Sequence, residues 1–263
     1  MNPIQQITSK DNPKLKNAAQ LVQSKKHRRQ QGEFIAEGYR LCMDALRSGK
    51  RPLRTFVTQQ LLDKEDCSQL LEQSQETFLI SQELSAKLSD TQTPQGVFCV
   101  FPIPAPSKLD QFSHHRIVIL SSLQDPGNIG TIIRTSEALG ADMILMSSDC
   151  PELYSPKILR ATMGGVFRMP VCVTEDLTGD IALLRQEGVK VYAAALKEQS
   201  VPITQLDFSG NSAIVIGNEG KGLTDEVIEA CTSPMLIPME GKAESLNAAA
   251  AAAISIWEMC RRG

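Results

Sequence analysis

The chain is short of the features that mark several large classes of protein. None of its 263 residues belongs to an apolar run near the roughly 18 needed to span a membrane, and the start, Met1 to Lys16, is polar, without a secretory apolar core. The expected address is therefore cytoplasmic, with no membrane partner. Cysteine is sparse and scattered: Cys42, Cys67, Cys99, Cys150, Cys172, Cys231 and Cys260 are odd in number and contain no CxxC pair. They read as reduced thiols, most of them filling core space. Only three histidines are present, and the neighbours His114 and His115 belong to no HExxH or matching Cys/His set, so no metal site is expected. GxSxG is absent, which removes the usual setting of a serine nucleophile.

Glycine-rich nucleotide signatures fail as well. Gly217-Asn-Glu-Gly-Lys-Gly222 resembles a phosphate loop, but Lys221 is followed by glycine where Walker A needs Ser or Thr. The third glycine of a dinucleotide fingerprint would fall at Asp225.

What remains is an ordinary folded composition, 42% hydrophobic and 22% charged, long enough for two domains at roughly 150 residues each. Net charge is −3, unevenly spread. Residues 1–54 hold twelve Lys/Arg against four Asp/Glu, a local +8 that leaves −11 for the rest. Much of this sits in Lys25, Lys26, Arg28 and Arg29, which follow a helical pattern over Pro13 to Ser24 (Leu15, Ala18, Ala19, Leu21, Val22). Such a cluster fits either a polyanion contact or a solvated helix face.

Short strands at Phe34 to Ala36, Phe56-Val57, Thr77 to Ile80 and Val97 to Phe101, with a helix over Tyr39 to Leu46, predict a small α/β domain over 1–105. The run Phe101-Pro-Ile-Pro-Ala-Pro-Ser107 favours extended backbone and places a boundary, opening a second domain over 106–263. There, strands (Ile117 to Leu120, Met143 to Met146, Val189 to Ala195, Ala213 to Ile216, Met235 to Ile237) alternate with helices (Ile129 to Leu139, Ile181 to Glu187, Thr224 to Ala230, Leu246 to Met259). That alternation predicts a mostly parallel sheet covered on both faces.

Three segments of this second domain carry chemistry. Leu123 to Gly140 turns at Pro126-Gly127 into a helix, with Asn128 as a candidate cap and Arg134 about one and a half turns in, a good phosphate ligand. Val215 to Leu223 places three glycines after a strand, where backbone approaches something closely or turns sharply. Ile237 to Asn247 leaves another strand and enters a helix opening on six alanines, with Ser245 as the expected cap, Lys242 and Glu244 as loop charges, and a close-packing partner implied.

Taken together these segments, N-x-G-x-x-x-R-T, G-N-E-G-x-G-L and I-P-M-x-G-x-x-x-S-L-N, resemble the three motifs of the SpoU/TrmH family of SPOUT RNA methyltransferases. The stretches Ile7 to Lys14 and Gly32 to Gly38 look more loosely like the L30e-like substrate-binding domain many members carry. The resemblance implies an α/β catalytic domain with a C-terminal trefoil knot, S-adenosylmethionine as methyl donor, and transfer to an RNA ribose 2′-hydroxyl. It implies a donor pocket of Leu196, Gly217, Ile237, Met239 and Leu246, and a catalytic set of Arg134, Asn128, Glu219, Ser245 and Asn247. It also implies a homodimer and, through the added domain, rRNA rather than tRNA, with Lys25, Lys26, Arg28 and Arg29 as RNA contacts. A noncatalytic RNA-binding protein of the same fold and a base-nitrogen methyltransferase are the alternatives.

Overall fold

The computed structural model describes residues 3–107, 109, 116–243 and 245–261. Its elements in chain order are β1 (Gln5–Ile7), α1 (Pro13–Gln23), α2 (Lys25–Gln31), β2 (Glu33–Glu37), α3 (Tyr39–Arg47), β3 (Arg54–Thr58), α4 (Gln59–Leu62), α5 (Ser68–Gln73), β4 (Glu76–Ile80), α6 (Gln82–Ser85), β5 (Val97–Pro102), β6 (Arg116–Leu120), α7 (Pro126–Leu139), β7 (Met143–Ser147), α8 (Pro156–Ala161), β8 (Val171–Thr174), α9 (Leu177–Gln186), β9 (Lys190–Ala194), β10 (Val201–Pro202), β11 (Ser212–Ile216), α10 (Asp225–Ala230), β12 (Ser233–Leu236) and α11 (Ala248–Arg261). The chain divides into two compact units, Met1–Ala105 with Glu152–Phe167, and Pro106–Pro151 with Arg168–Gly263.

The first unit is built on a five-stranded sheet in the order β1-β4-β3-β5-β2, in which β5 runs antiparallel to both neighbours. Helix α1 begins where the Asn12 side chain accepts from the backbone N–H of Lys14 (2.9 Å) and Pro13 takes the first position, where its missing N–H costs nothing. Its buried residues Leu15, Ala18 and Leu21 pack on Ile35, Phe56, Phe78 and Phe98 of the sheet. Ser24 ends α1 and caps α2 by accepting from His27 N–H (3.1 Å), and Gly32, at φ +63°, closes α2.

Two sequence expectations change here. The proline-alternating run does not lie wholly outside the sheet, because β5 continues through Phe101 to Pro102, opposite Glu33 of β2. Proline is tolerated at this final strand position, where the ladder ends and Ile103 N–H donates instead to the Gly32 carbonyl (2.7 Å). In addition, a contiguous division at 105/106 omits Glu152–Phe167, which packs with the first unit. There Tyr154 stacks on Phe34 (centroids 4.7 Å apart) and Phe34 also faces Phe167 (6.2 Å). Nothing in the local sequence announced this, since aromatic stacking across more than a hundred residues leaves no periodicity.

The second unit carries a seven-stranded sheet, wholly parallel, in the order β10-β12-β9-β11-β6-β7-β8. Strands β6, β9 and β11 are almost uninterrupted apolar runs, and Ile117, Ile119, Val191, Ala213 and Val215 are fully buried, as a sheet covered on both faces demands. Register decides what meets at the carboxyl edge. Leu120 pairs with Ile216, so the segments leaving β6 and β11 emerge side by side. The segments leaving β9 and β12 follow next to them, because β9 pairs with both β11 and β12.

Helix α11 packs on α7, β11 and β6, so the close partner implied by its alanines lies within its own unit. Ala248, Ala249 and Ala252 are buried there, small enough to bring the helices together. Five of the seven cysteines are buried, and all seven are free. Among the described residues no helix is long and apolar enough to cross a membrane, and no cluster of His, Cys, Asp or Glu could hold a metal ion. His114 and His115 lie outside the described residues.

Candidate active site

The three motif segments converge on one hydrogen-bonded core. Glu219, in the loop after β11, reaches the start of α7. Its Oε1 accepts from Asn128 Nδ2 (2.9 Å) and from Asp125 N–H (3.1 Å), and its Oε2 accepts from Gln124 N–H (3.1 Å). Asn128 Oδ1 in turn accepts from Asn247 Nδ2 (3.0 Å). Partial burial pushes the Glu219 carboxyl up, but the hydrogen bonds from Asn128, Gln124 and Asp125 outweigh it and hold the group below its ordinary range. The core therefore presents an ionised carboxylate.

Capping roles differ from expectation. Asp125, not Asn128, caps α7, accepting from Gly127 N–H (2.8 Å), which frees Asn128 for the contacts above while it stays 7% exposed. Asn247, not Ser245, starts α11, accepting from Ala249 N–H (2.9 Å) and Ala250 N–H (3.3 Å). Asn247 thus fixes a helix end and orients Asn128 with opposite ends of one amide.

Beside this core lies a cavity of about 390 Å³. Leu196, Gly217, Ile237, Met239 and Leu246 all line it, together with Ser245 and Glu219. Its wall is loop backbone and apolar side chain at the carboxyl edge of a parallel sheet, the usual ligand position in such folds. Gly217 is required by space, since a Cβ there would come within 2.7 Å of the Gly222 backbone and 2.8 Å of Leu223. The loop it opens is held by paired backbone hydrogen bonds between Asn218 and Gly222 (3.2 and 2.9 Å), with Gly222 at φ +69°.

Sequence reasoning passed over the residues that shape these loops. Asn218 Oδ1 accepts from Gly220 and Lys221 N–H (3.0 and 2.9 Å), and its Nδ2 donates to the Ser122 carbonyl (2.8 Å). Ser122 sits at φ +56°, and its N–H donates to Ser147 Oγ (2.8 Å). The turn tendency of an Asn-Glu-Gly triplet could have flagged Asn218. Nothing local could have flagged the Ser122 backbone, because its strain is imposed by partners from two other segments.

Other predicted residues are not gathered into the core. Arg134 is the ninth of the 14 residues of α7, deeper than expected, and lies on an exposed stripe with Gly127, Thr131 and Ala138. It makes no hydrogen bond or ion pair with described residues of its own chain. In α2, Lys25, Lys26 and Arg29 are exposed and line a shallow concavity with Gln30. Arg28 is turned inward and only 4% exposed. Its guanidinium pairs with Glu152 through Nε and Nη2, and Nη1 donates to the Leu21 carbonyl (2.6 Å). With its donors engaged in the interior, Arg28 is withdrawn from the RNA-contacting set.

An all-parallel sheet with a loop-lined cavity at its carboxyl edge, beside a connected Asn–Glu–Asn core, is the architecture of an α/β enzyme that binds a small organic molecule. The chain belongs to the SpoU rRNA Methylase family, whose model matches residues 115–257, while residues 12–99 match an MRM3-like substrate binding domain. It is 32% identical to the 23S rRNA (guanosine(2553)-2'-O)-methyltransferase RlmP of Bacillus subtilis, over 97% of this chain and 99% of that one. Its structure resembles an rRNA methyltransferase from Sinorhizobium meliloti, at 30% identity and TM-score 0.86 over 98% of both chains. An AdoMet-bound rRNA methyltransferase from Sinorhizobium meliloti matches at 32% identity and TM-score 0.84 over 98% of both chains.

Proposed function

We propose that this protein transfers a methyl group from S-adenosylmethionine to the 2′-hydroxyl of a ribose in RNA, with rRNA as the substrate. The observation that carries the reading is the apposition of the loop-lined cavity, holding all five expected donor-pocket residues, with the Asn128–Glu219–Asn247 core. The Bacillus subtilis relative is named for 2′-O-methylation of rRNA, and an AdoMet-bound neighbour shares the fold over nearly its whole length. The cavity suits the donor in size and chemistry: its volume falls in the range of small-molecule sites, and backbone polar groups stand among apolar side chains.

When bound, the donor supplies an electrophilic sulfonium methyl. The chain's part is alignment and charge placement. Leu196, Gly217, Ile237, Met239 and Leu246 form the donor pocket. Glu219, Asn128 and Asn247 lock the loop after β11 to the starts of α7 and α11, which fixes that part of the pocket wall. Ser245, exposed at the cavity, is placed to hydrogen-bond the ribose or the donor. Arg134 acts as an electrostatic clamp on the RNA phosphate and the developing alkoxide. A guanidinium stays protonated in proteins, which disfavours the role of base.

Arg134 reaches such a role across a homodimer. Helix α11, packed on α7, leaves an exposed stripe of Ala250, Ile254 (41% exposed) and Trp257 (57%), an apolar surface that a second copy would cover while bringing Arg134 to its partner's core. The catalytic unit is read as carrying the family's trefoil knot, and the first unit as the RNA-binding domain, with Lys25, Lys26 and Arg29 on phosphate. The cytoplasm is the proposed location.

Incubation of the protein with methyl-labelled donor and ribosomal RNA, followed by nucleoside analysis, tests the reading. The expected product is a single 2′-O-methylnucleoside. Base-methylated product, or donor binding without any transfer, would sink it.

A further inference from the structure

The donor cavity has a charge pattern that the reaction itself does not use. Among its described lining residues only Glu219 and Lys221 carry charge. Glu219 is committed to Asn128 and to the backbone of Gln124 and Asp125. Lys221 is exposed, and its ammonium has neither a hydrogen-bond acceptor nor an ion-pair partner among the described residues. The nearby Lys197, by contrast, is occupied by Asp225 (2.7 Å).

The backbone at position 221 is held in place. Its N–H donates to Asn218 Oδ1, the Asn218 and Gly222 backbones are paired on either side, and Asn218 is anchored to the Ser122 carbonyl. The loop therefore gives its two charged residues different surroundings: Glu219 is bonded to the start of α7, and Lys221 is exposed at the cavity lining. An exposed ammonium at the cavity lining, without a partner among the described residues, is available to an anionic group of the ligand.

We infer that Lys221 is the donor-tail residue, pairing with the carboxylate of the methionine moiety, the donor's one anionic group. The inference rests on the donor-pocket reading above. Charge bookkeeping places the lysine at the tail: beside the sulfonium it would repel the donor and favour the neutral thioether product. At the carboxylate it acts on donor and product alike.

The test is calorimetric titration of the full chain with S-adenosylmethionine, S-adenosylhomocysteine and 5′-methylthioadenosine, which keeps the adenosine and thioether but has no amino-acid tail. Lys221→Gln is expected to weaken the first two about tenfold each, the scale of one charged hydrogen bond, and to leave the third within about twofold. Lys221→Arg should recover most of the loss, and added salt should weaken the wild type more than Lys221→Gln. An equal loss for methylthioadenosine would overturn the inference, as would unchanged affinity for all three. Unchanged donor affinity with weakened rRNA binding would overturn it too, moving Lys221 to a backbone phosphate. Failure of the wild-type chain to bind S-adenosylhomocysteine would strike the pocket reading itself, a separate outcome.

Discussion

Helix α2 and the core around Glu219 make opposite use of sequence distance. In α2, adjacent cations diverge: Arg28 turns inward to Glu152 and the Leu21 carbonyl, while Lys25, Lys26 and Arg29 face solvent. In the core, residues 91 and 119 positions apart converge on Asn128 through two hydrogen bonds. A run of like residues on a helix is sorted by the helix period, which gives neighbours different surroundings. Parallel-strand register, in contrast, brings the loops of neighbouring strands together at one edge whatever their positions in the chain. Charge runs therefore overstate a binding site, and separated motifs understate one.

The largest expected effect separates chemistry from scaffolding. Arg134→Ala should lower turnover by about a thousandfold, roughly 4 kcal/mol of barrier, while leaving S-adenosylhomocysteine affinity nearly unchanged in calorimetry. Near-normal turnover would remove Arg134 from the mechanism.

Arg28→Ala should cost about 3 kcal/mol or more in denaturant unfolding, because it strands Glu152 in the interior. Its effect on RNA affinity in the folded protein should be slight. If stability is unchanged and RNA binding is lost, the division drawn within α2 is wrong.

Asn128→Ala is expected to reduce turnover by about a hundredfold, or about 2.7 kcal/mol, by releasing Glu219 and Asn247 together. A change in thermal stability alone would reduce Asn128 to a scaffold residue.

Neutralising Lys25, Lys26 and Arg29 together should shallow the salt dependence of rRNA binding, by about 0.7–0.9 in log–log slope per lost phosphate contact. An unaltered slope would return them to a solvated face.

The smallest effect concerns pH. Because the Glu219 carboxyl is held low in the folded chain, its contribution is fully present above its unfolded pKa, about 4.3, and is lost as pH falls through the depressed folded value. Amide signals of Gln124 and Asp125 should report this loss by NMR, and Glu219→Gln should abolish the pH dependence.

Much of this was legible in advance. Apolar runs and helical spacing located β6, α7, β11 and α11 to within a few residues, and three motif strings carried the family resemblance. The strand β8 and the helix α8 were not anticipated: Val171–Thr174 is a short edge strand with weak alternation, and α8 has only six residues. Capping was misread at both helices because Asp125 and Asn128, or Ser245 and Asn247, are equally good caps by type. Only the path of the entering chain decides between them.

By itself the sequence determined the residue types of the chemistry, their order along parallel strands, and the excess of positive charge at one end. Tertiary structure alone decided that Asn128 would bridge two loops, that Arg28 would be consumed inside, and that Lys221 would line a cavity without a partner among the described residues. Those outcomes depend on strand register and on partners distant along the chain, and local composition encodes neither.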